Sequence, residues 1–331
     1  MTIAPENPAL APAAGAHPTG RWITTQHQRP MSLAVMLPLL RPAPPGAADN
    51  GEDFWALVAK AKLARAVGFD MIWFPDHFMI ANPDPRAEPG GVWECWTTLA
   101  GLAAALPGVP FGSMVACTGF HNPGSIAKMS ETIESISQGN FVLGLGCGWL
   151  KREYDMFGFP FDHRVDRFEE ALHIISSLTR TGTANLEGRY YQARDAFNLP
   201  RGPRWREGGA PILLGAKAPR MMRLTARYAD AWNSDWVANP ADIGPMVAEL
   251  DRACTEVGRD PESIVRTSSS RFSFDPADQN PMAVHGTPEE MAAVLHAYAR
   301  LGMRQHLVTV DPRTTENFER FAQVIEIFDR G

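Results

Sequence analysis

Short apolar runs alternate along this chain with longer stretches in which apolar residues return every three or four positions. Residues 32–37 form a compact apolar run ending at Pro38 and predict a first strand. Phe54, Leu57, Val58 and Ala61 then recur at helical spacing, and the stretch closes on Gly68, so 52–67 reads as a helix with a glycine stop. A second buried strand follows at 71–74. The same alternation predicts helices over 94–106, 123–136, 163–178, 219–229, 242–257, 288–301 and 315–328, with Thr287 as the N-cap of 288–301. Between them lie strands over 111–117, 141–145, 211–214, 231–233, 264–269 and 305–310. Short, uniformly apolar strands separated by helices imply a parallel sheet. Eight such units in about 300 residues fit a (β/α)8 barrel, with a doubly wound open sheet as the competing arrangement.

Several segments lack either period. Residues 1–30 are rich in Ala and Pro up to Gly20 and have neither a basic start nor a continuous apolar core. They read as a loose arm outside a single 31–331 barrel domain rather than as a secretory signal, with Trp22 and Ile23 able to pin it locally. Residues 42–51 read as a loop. Residues 79–91, 149–162, 183–207 and 271–284 read as insertions over the barrel mouth, where Trp, Phe and Met favour an apolar substrate and Arg152, Arg189 and Arg194 could meet an anionic group.

Composition narrows the function classes. Apolar residues at 45% and charged residues at 21% describe a soluble protein with ample core. A net charge of −6 argues against nucleic acid as the main partner. No 18-residue uncharged apolar run exists, so no membrane span is expected. Cys95, Cys117, Cys147 and Cys254 are far apart and form no CxxC pair, which points to reduced thiols, a cytoplasmic location and no metal knot.

Three stretches carry candidate chemistry. Asp76 and His77 interrupt the apolar run 71–74 abruptly, placing a carboxylate and an imidazole at a strand's C-terminal end, where barrels hold their active sites. The competing view is that Asp76 caps a turn and His77 is half-buried packing. Gly144, Gly146 and Gly148 follow a strand with spacing wrong for a dinucleotide fingerprint, but small residues there allow close approach of a flat ring, or simply a tight turn. In 211–220 a strand enters a small-residue loop and Pro219 opens a helix. Its free N–H groups beside Lys217 and Arg220 would suit an anion, unless the loop is merely solvated. His163, His173 and His296 show no ligand spacing, and no metal site is expected. His121 could cap or line a pocket, and Trp93 and Trp96 suit packing. No GxSxG elbow and no phosphate-binding Gly-Lys-Ser/Thr is present.

From about Leu33 to Phe328 the chain resembles the bacterial luciferase-like superfamily of flavin- and deazaflavin-dependent barrels. The resemblance rests on Asn122-Pro-Gly-Ser-Ile-Ala-Lys-Met-Ser130, the run from Ile136 to Trp149, Glu153-Tyr154, Phe157-Gly-Phe-Pro160 and Arg167-Phe-Glu-Glu-Ala171. The runs 211–220 and 226–233 complete it. It implies a ring-binding cleft at the C-terminal face. A strand bulge, often with a non-proline cis peptide, would map to Met114, Val115 and Ala116 behind the ring. Gly215, Ala216, Lys217 and Arg220 would meet the cofactor phosphate, and Gly146, Cys147 and Gly148 its linker. Asp76-His77-Phe78 resembles the group that uses coenzyme F420, a deazaflavin hydride carrier. His77 would then move a proton and Asp76 would orient the cofactor or the imidazole. The alternative cofactor is FMN, with O2 and a partner flavin reductase. Sugar-phosphate relatives place a glutamate where this chain has Trp149, so that activity is not expected here. Relatives commonly dimerise, which implies a homodimer acting on a small-molecule substrate.

Overall fold

The computed structural model describes Ile23, Thr25 and residues 29–37, 53–80 and 90–331. Most of the arm expected over 1–30, including Trp22, the loop 42–51 and most of 79–91 lie outside the described residues. Eight strands form the barrel: β1 (Ser32–Met36), β2 (Met71–Phe74), β3 (Phe111–Ser113), β4 (Phe141–Gly146), β5 (Ile212–Gly215), β6 (Ala231–Trp236), β7 (Val265–Ser273) and β8 (Gln305–Asp311). All neighbours are parallel, and β8 pairs back on β1, with Val35 opposite Val308, so the sheet closes. Helices α1 (Phe54–Ala66), α2 (Cys95–Ala105), α3 (Pro123–Ile136), α4 (Lys151–Phe157), α5 (Arg164–Arg180), α6 (Pro219–Tyr228), α7 (Ile243–Glu256), α8 (Pro288–Arg300) and α9 (Thr315–Arg330) fill the crossovers. The structure is the (β/α)8 barrel that the alternation predicts.

The two-residue period of the strands sorts the core. Ala34, Met36, Met71, Trp73, Val142, Leu213, Ala231, Val265 and Leu307 pack together as the barrel interior. Their neighbours Leu33, Val35, Ile72 and Phe74 belong to the larger cluster shared with the helices. The Trp73 indole, deep in the interior, is satisfied: its Nε1 donates to Gln305 Oε1 at 3.0 Å.

The N-terminal face is closed by a repeated device. Asp70, one residue before β2, accepts from the Leu33 amide at 2.9 Å and pairs with Arg29 at 3.3 Å. Asp230, one residue before β6, accepts from the Ile212 amide at 2.8 Å and pairs with Arg180 at 2.9 Å. Each carboxylate ties a strand entry to its neighbour, a stabilising role suited to this end of a barrel.

The structure departs from the sequence reading in detail. The single strand expected over 111–117 is split: β3 ends at Ser113, and Ala116–Cys117 re-pairs with the end of β4. Between them the Met114–Val115 peptide is cis, at the position the family resemblance implies. Helix α4 occupies part of an insertion for which no helix was expected. It has only seven residues, no side-chain cap at its start, and ends on Gly158 at φ 72°. The 183–207 excursion contains an antiparallel hairpin, Thr183–Glu187 with Gln192–Phe197. Strand β7 runs past Ser269 because its ladder with β8 continues to Ser273 opposite Asp311.

Candidate active site

A cavity of ≈ 370 Å³ opens among the C-terminal strand ends, within the range of small-ligand sites. Asp76, His77, Met114, Val115, Gly146, Cys147, Gly148, Gly215, Ala216 and Lys217 all line it. The structure therefore brings together residues spread over some 140 positions of sequence. Ala116 and Arg220 are not part of the lining. Ala116 is fully buried in the core shared with the helices.

His77 leaves the end of β2 with its side chain 23% exposed. Its Nδ1 lies 2.9 Å from Glu153 Oε2, the residue lines the cavity, and Nε2 has no hydrogen-bond partner among the described residues. Glu153 comes from α4 and is buried. Its Oε1 accepts from the backbone amides of Phe78 at 2.5 Å and Met79 at 3.2 Å. Trp149, largely exposed, stands edge-on to the imidazole with ring centres 6.1 Å apart. Glu153 appears in the sequence within a family motif, but its place against His77 depends on α4. Nothing in the periodicity announced that helix; the glycine at 158 was the available signal.

Asp76 is 5% exposed and accepts from the Cys117 amide at 2.8 Å. Burial pushes its carboxyl up to about 7; the Cys117 N–H and His77 pull against this, and the charges of Glu94 and Glu153 add to it. A carboxyl of that kind changes protonation near neutrality, the condition for acid–base work.

The glycines at and just after the end of β4 serve the protein's own packing. A Cβ on Gly146 would meet Val115 Cγ2 at 2.7 Å. Gly148 has φ 68°, and a Cβ there would overlap the Tyr154 hydroxyl. That hydroxyl donates to the Cys147 carbonyl at 2.9 Å and lies 3.0 Å from Cys117 Sγ. Burial pushes the Cys117 thiol up to about 12 and raises Cys147 as well, so neither is a ready thiolate.

Lys217 and Arg220 have different surroundings. Lys217 Nζ pairs with Asp235 Oδ2 at 3.2 Å at the cavity edge, both side chains half-exposed. Arg220 turns to α5, where Nη1 meets Asp166 at 2.5 Å and Nη2 meets Glu169 at 2.7 Å. Helix α6 has Pro at its start and no side-chain cap, so its first N–H groups are unclaimed by a cap and adjoin the lining residues Ala218 and Met221. Sequence reasoning missed Asn233 and Ser269, which also line the cavity. Ser269 Oγ donates to Asn233 Oδ1 at 3.0 Å. Asn233 lies two residues beyond the inward Ala231, a polar side chain at an inward position near a strand end, and that was the readable signal.

Of the remaining candidates, His121 stands edge-on to Trp96, with its Nε2 buried and without a partner among the described residues. His163 pairs with Asp166 on an exposed surface. Burial lowers His173 and His296 in the helix layer.

A family model described as luciferase-like monooxygenase matches residues 31–280. A phthiodiolone/phenolphthiodiolone dimycocerosates ketoreductase from Mycobacterium kansasii is 32% identical over 233 residues, 64% of this chain and 61% of that protein. A pyrimidine monooxygenase from Methylobacterium radiotolerans is 32% identical over 174 residues, 50% of this chain and 44% of that protein. The chain thus spans less than two thirds of the length of either relative. Among solved structures, an F420-dependent secondary alcohol dehydrogenase in complex with an F420-acetone adduct superposes with a TM-score of 0.75 at 17% identity, over 90% of this chain and 99% of that one. The match over 31–280, on the barrel and its cavity, makes this chain a member of the luciferase-like monooxygenase family.

Proposed function

We propose that the protein is a coenzyme F420-dependent oxidoreductase that interconverts a secondary alcohol and a ketone on an apolar or aromatic substrate. The observation that carries this reading is His77, which offers one imidazole nitrogen to a cavity whose far side, three strands away around the barrel, holds Lys217 and the uncapped start of α6. The residues present fit a deazaflavin. Val115, Met114 and the Gly146–Gly148 backbone offer a flat wall for a ring, and Lys217 with the α6 N–H groups offers donors for a phosphate.

When bound, a deazaflavin supplies a carbon centre that gives or takes a hydride. His77 takes the hydroxyl proton as the alcohol is oxidised and returns it when the ketone is reduced. Asp76, tied to the Cys117 amide, holds the loop that carries His77. Met36, Phe120 and Trp149 add apolar surface to the cavity lining, which suits an apolar substrate. The ketoreductase relative supports carbonyl chemistry, because its name describes reduction of a ketone. A homodimer in the cytoplasm belongs to the same reading.

The pyrimidine monooxygenase relative supports a second reading: reduced FMN from a partner reductase, with O2 as co-substrate. Both readings use the same cavity. Anaerobic mixing with F420 and a panel of short and aryl-substituted secondary alcohols tests the first. Bleaching of the oxidised deazaflavin by any of them supports it. No bleaching, together with oxygen-dependent product formation from reduced FMN, overturns it.

A further inference from the structure

A neutral imidazole is a base only through the nitrogen that lacks a proton, so its tautomer decides what His77 can do. Two backbone N–H groups and one imidazole nitrogen converge on the Glu153 carboxylate: the Phe78 and Met79 amides on Oε1, and His77 Nδ1 on Oε2 at 2.9 Å. The two amides fix Oε1 and with it the plane of the carboxylate, and Oε2 is thereby aimed at the ring. The Glu153 side chain is 2% exposed, so water cannot take over its partners. A carboxylate has only acceptors to offer, and the proton of the shared bond stays on Nδ1.

We propose that Glu153 is a positioning residue that holds His77 as the Nδ1–H tautomer, with the Nε2 lone pair turned to the cavity. Its consequence for turnover rests on the proton-transfer role of His77; the tautomer itself does not. In this state His77 can receive a hydroxyl proton at Nε2, and the resulting imidazolium faces a carboxylate in a poorly solvated setting. The arrangement also couples an insertion of the barrel mouth to the end of β2. Helix α4 carries Glu153 and is packed by Phe78, Phe120, Phe157 and Phe159, whose ring centres lie 4.7 to 6.2 Å apart.

Glu153→Gln tests this without removing volume. The Gln oxygen can keep the Phe78 and Met79 amides. Its NH2 group then faces Nδ1 as a donor, which forces the proton of His77 onto Nε2. The opposite amide orientation would set NH2 against two backbone N–H groups and is disfavoured. Nitrogen-labelled histidine NMR, at a pH where the ring is neutral and with the His77 signals assigned by their loss in H77A, reads the tautomer directly. The expected result is Nδ1–H in the wild type and Nε2–H in E153Q. Deazaflavin affinity should stay within a few fold, and kcat should fall by roughly 10²-fold with little change in KM. An Nε2–H wild type, which needs no variant and no substrate, overturns the proposal. So does an E153Q protein whose tautomer matches the wild type. A switched tautomer with unchanged kcat supports the positioning role and instead removes His77 from the proton-transfer step.

Discussion

The two sides of the cavity are built on opposite electrostatic principles. On the β2–β4 side, Asp76, Cys117, Glu153 and Tyr154 are all buried, and each is bonded to a named partner from another segment. On the β5–β6 side, Lys217 and Asp235 form an ion pair with side chains 49 and 53% exposed; beyond the lining, Arg220 pairs with Asp166 at similar exposure. Where water is excluded, a single hydrogen bond can fix where a proton sits, because the alternatives leave a buried polar group unpaired. Where water is admitted, an ion pair is worth about 1 kcal/mol or less and exchanges partners readily. The first environment suits chemistry, and the second suits reception of a charged group that must arrive and leave.

The sharpest way to break this contrast is His77→Ala. If the buried side does the chemistry, turnover should fall by roughly 10²-fold or more while deazaflavin affinity changes by only a few fold. Binding titrations beside steady-state rates check this. An affinity loss that matches the rate loss would move His77 to the binding side of the comparison.

Asp76 gives the buried side a pH signature. Its folded carboxyl is pushed up to about 7 from an unfolded value near 3.8. Between those values the folded state carries a proton that the unfolded state has released, so this group's contribution to stability falls as pH rises from about 4 to about 7. Asp76→Asn keeps an oxygen for the Cys117 amide and removes the charge. It should stabilise the cofactor-free protein by on the order of 1–3 kcal/mol above pH 7, a gain that shrinks toward pH 4. Thermal melts across that range check it, and a gain independent of pH would show that Asp76 stays ionised.

Asp76 and His77 were legible in the sequence because they break an apolar strand, and the alternation of periods made the barrel legible for the same reason. The contacts that complete the site were not. Glu153 lies on a seven-residue helix, too short to announce a period, and meets His77 from 76 positions away in sequence. Val115 fills the space above Gly146 from the irregular segment between Ser113 and Ala116, which no hydrophobic pattern encodes. Arg220 shows the converse case. Its residue type and loop suited an anion, yet two carboxylates of α5, some fifty positions earlier, hold it outside the cavity.

Lys217→Ala and Arg220→Ala together sharpen the exposed side. A charge-assisted hydrogen bond contributes about 1.5–3 kcal/mol, less when half-exposed, so loss of Lys217 should weaken deazaflavin binding by roughly tenfold and leave kcat at saturation nearly unchanged. Loss of Arg220 should alter affinity by less than about twofold and stability by about 1 kcal/mol or less. Fluorescence titration of the cofactor distinguishes them. Equal losses would mean that Arg220 leaves Asp166 and Glu169 when the site fills.

The smallest effect carries the opposite sign. Asp235 holds Lys217 Nζ at 3.2 Å and adds a negative charge at the edge of the same cavity. On the proposed reading, an arriving cofactor phosphate would have to displace that carboxylate from Lys217 and also tolerate it nearby. At roughly 4 Å in water, one unit charge acting on another is worth about 1 kcal/mol. Asp235→Asn removes the competitor while keeping the backbone: the residue sits at φ 61°, a conformation Asn adopts readily, and its amide still reaches Asn233 Oδ1, now 2.8 Å away. Deazaflavin should therefore bind a few fold more tightly to the variant, with the largest gain at low salt, where screening is least. Titrations at low and high ionic strength check both parts. Weaker binding in Asp235→Asn would mean that Asp235 serves to aim Lys217 at the phosphate, and the exposed side would then be as preorganised as the buried one.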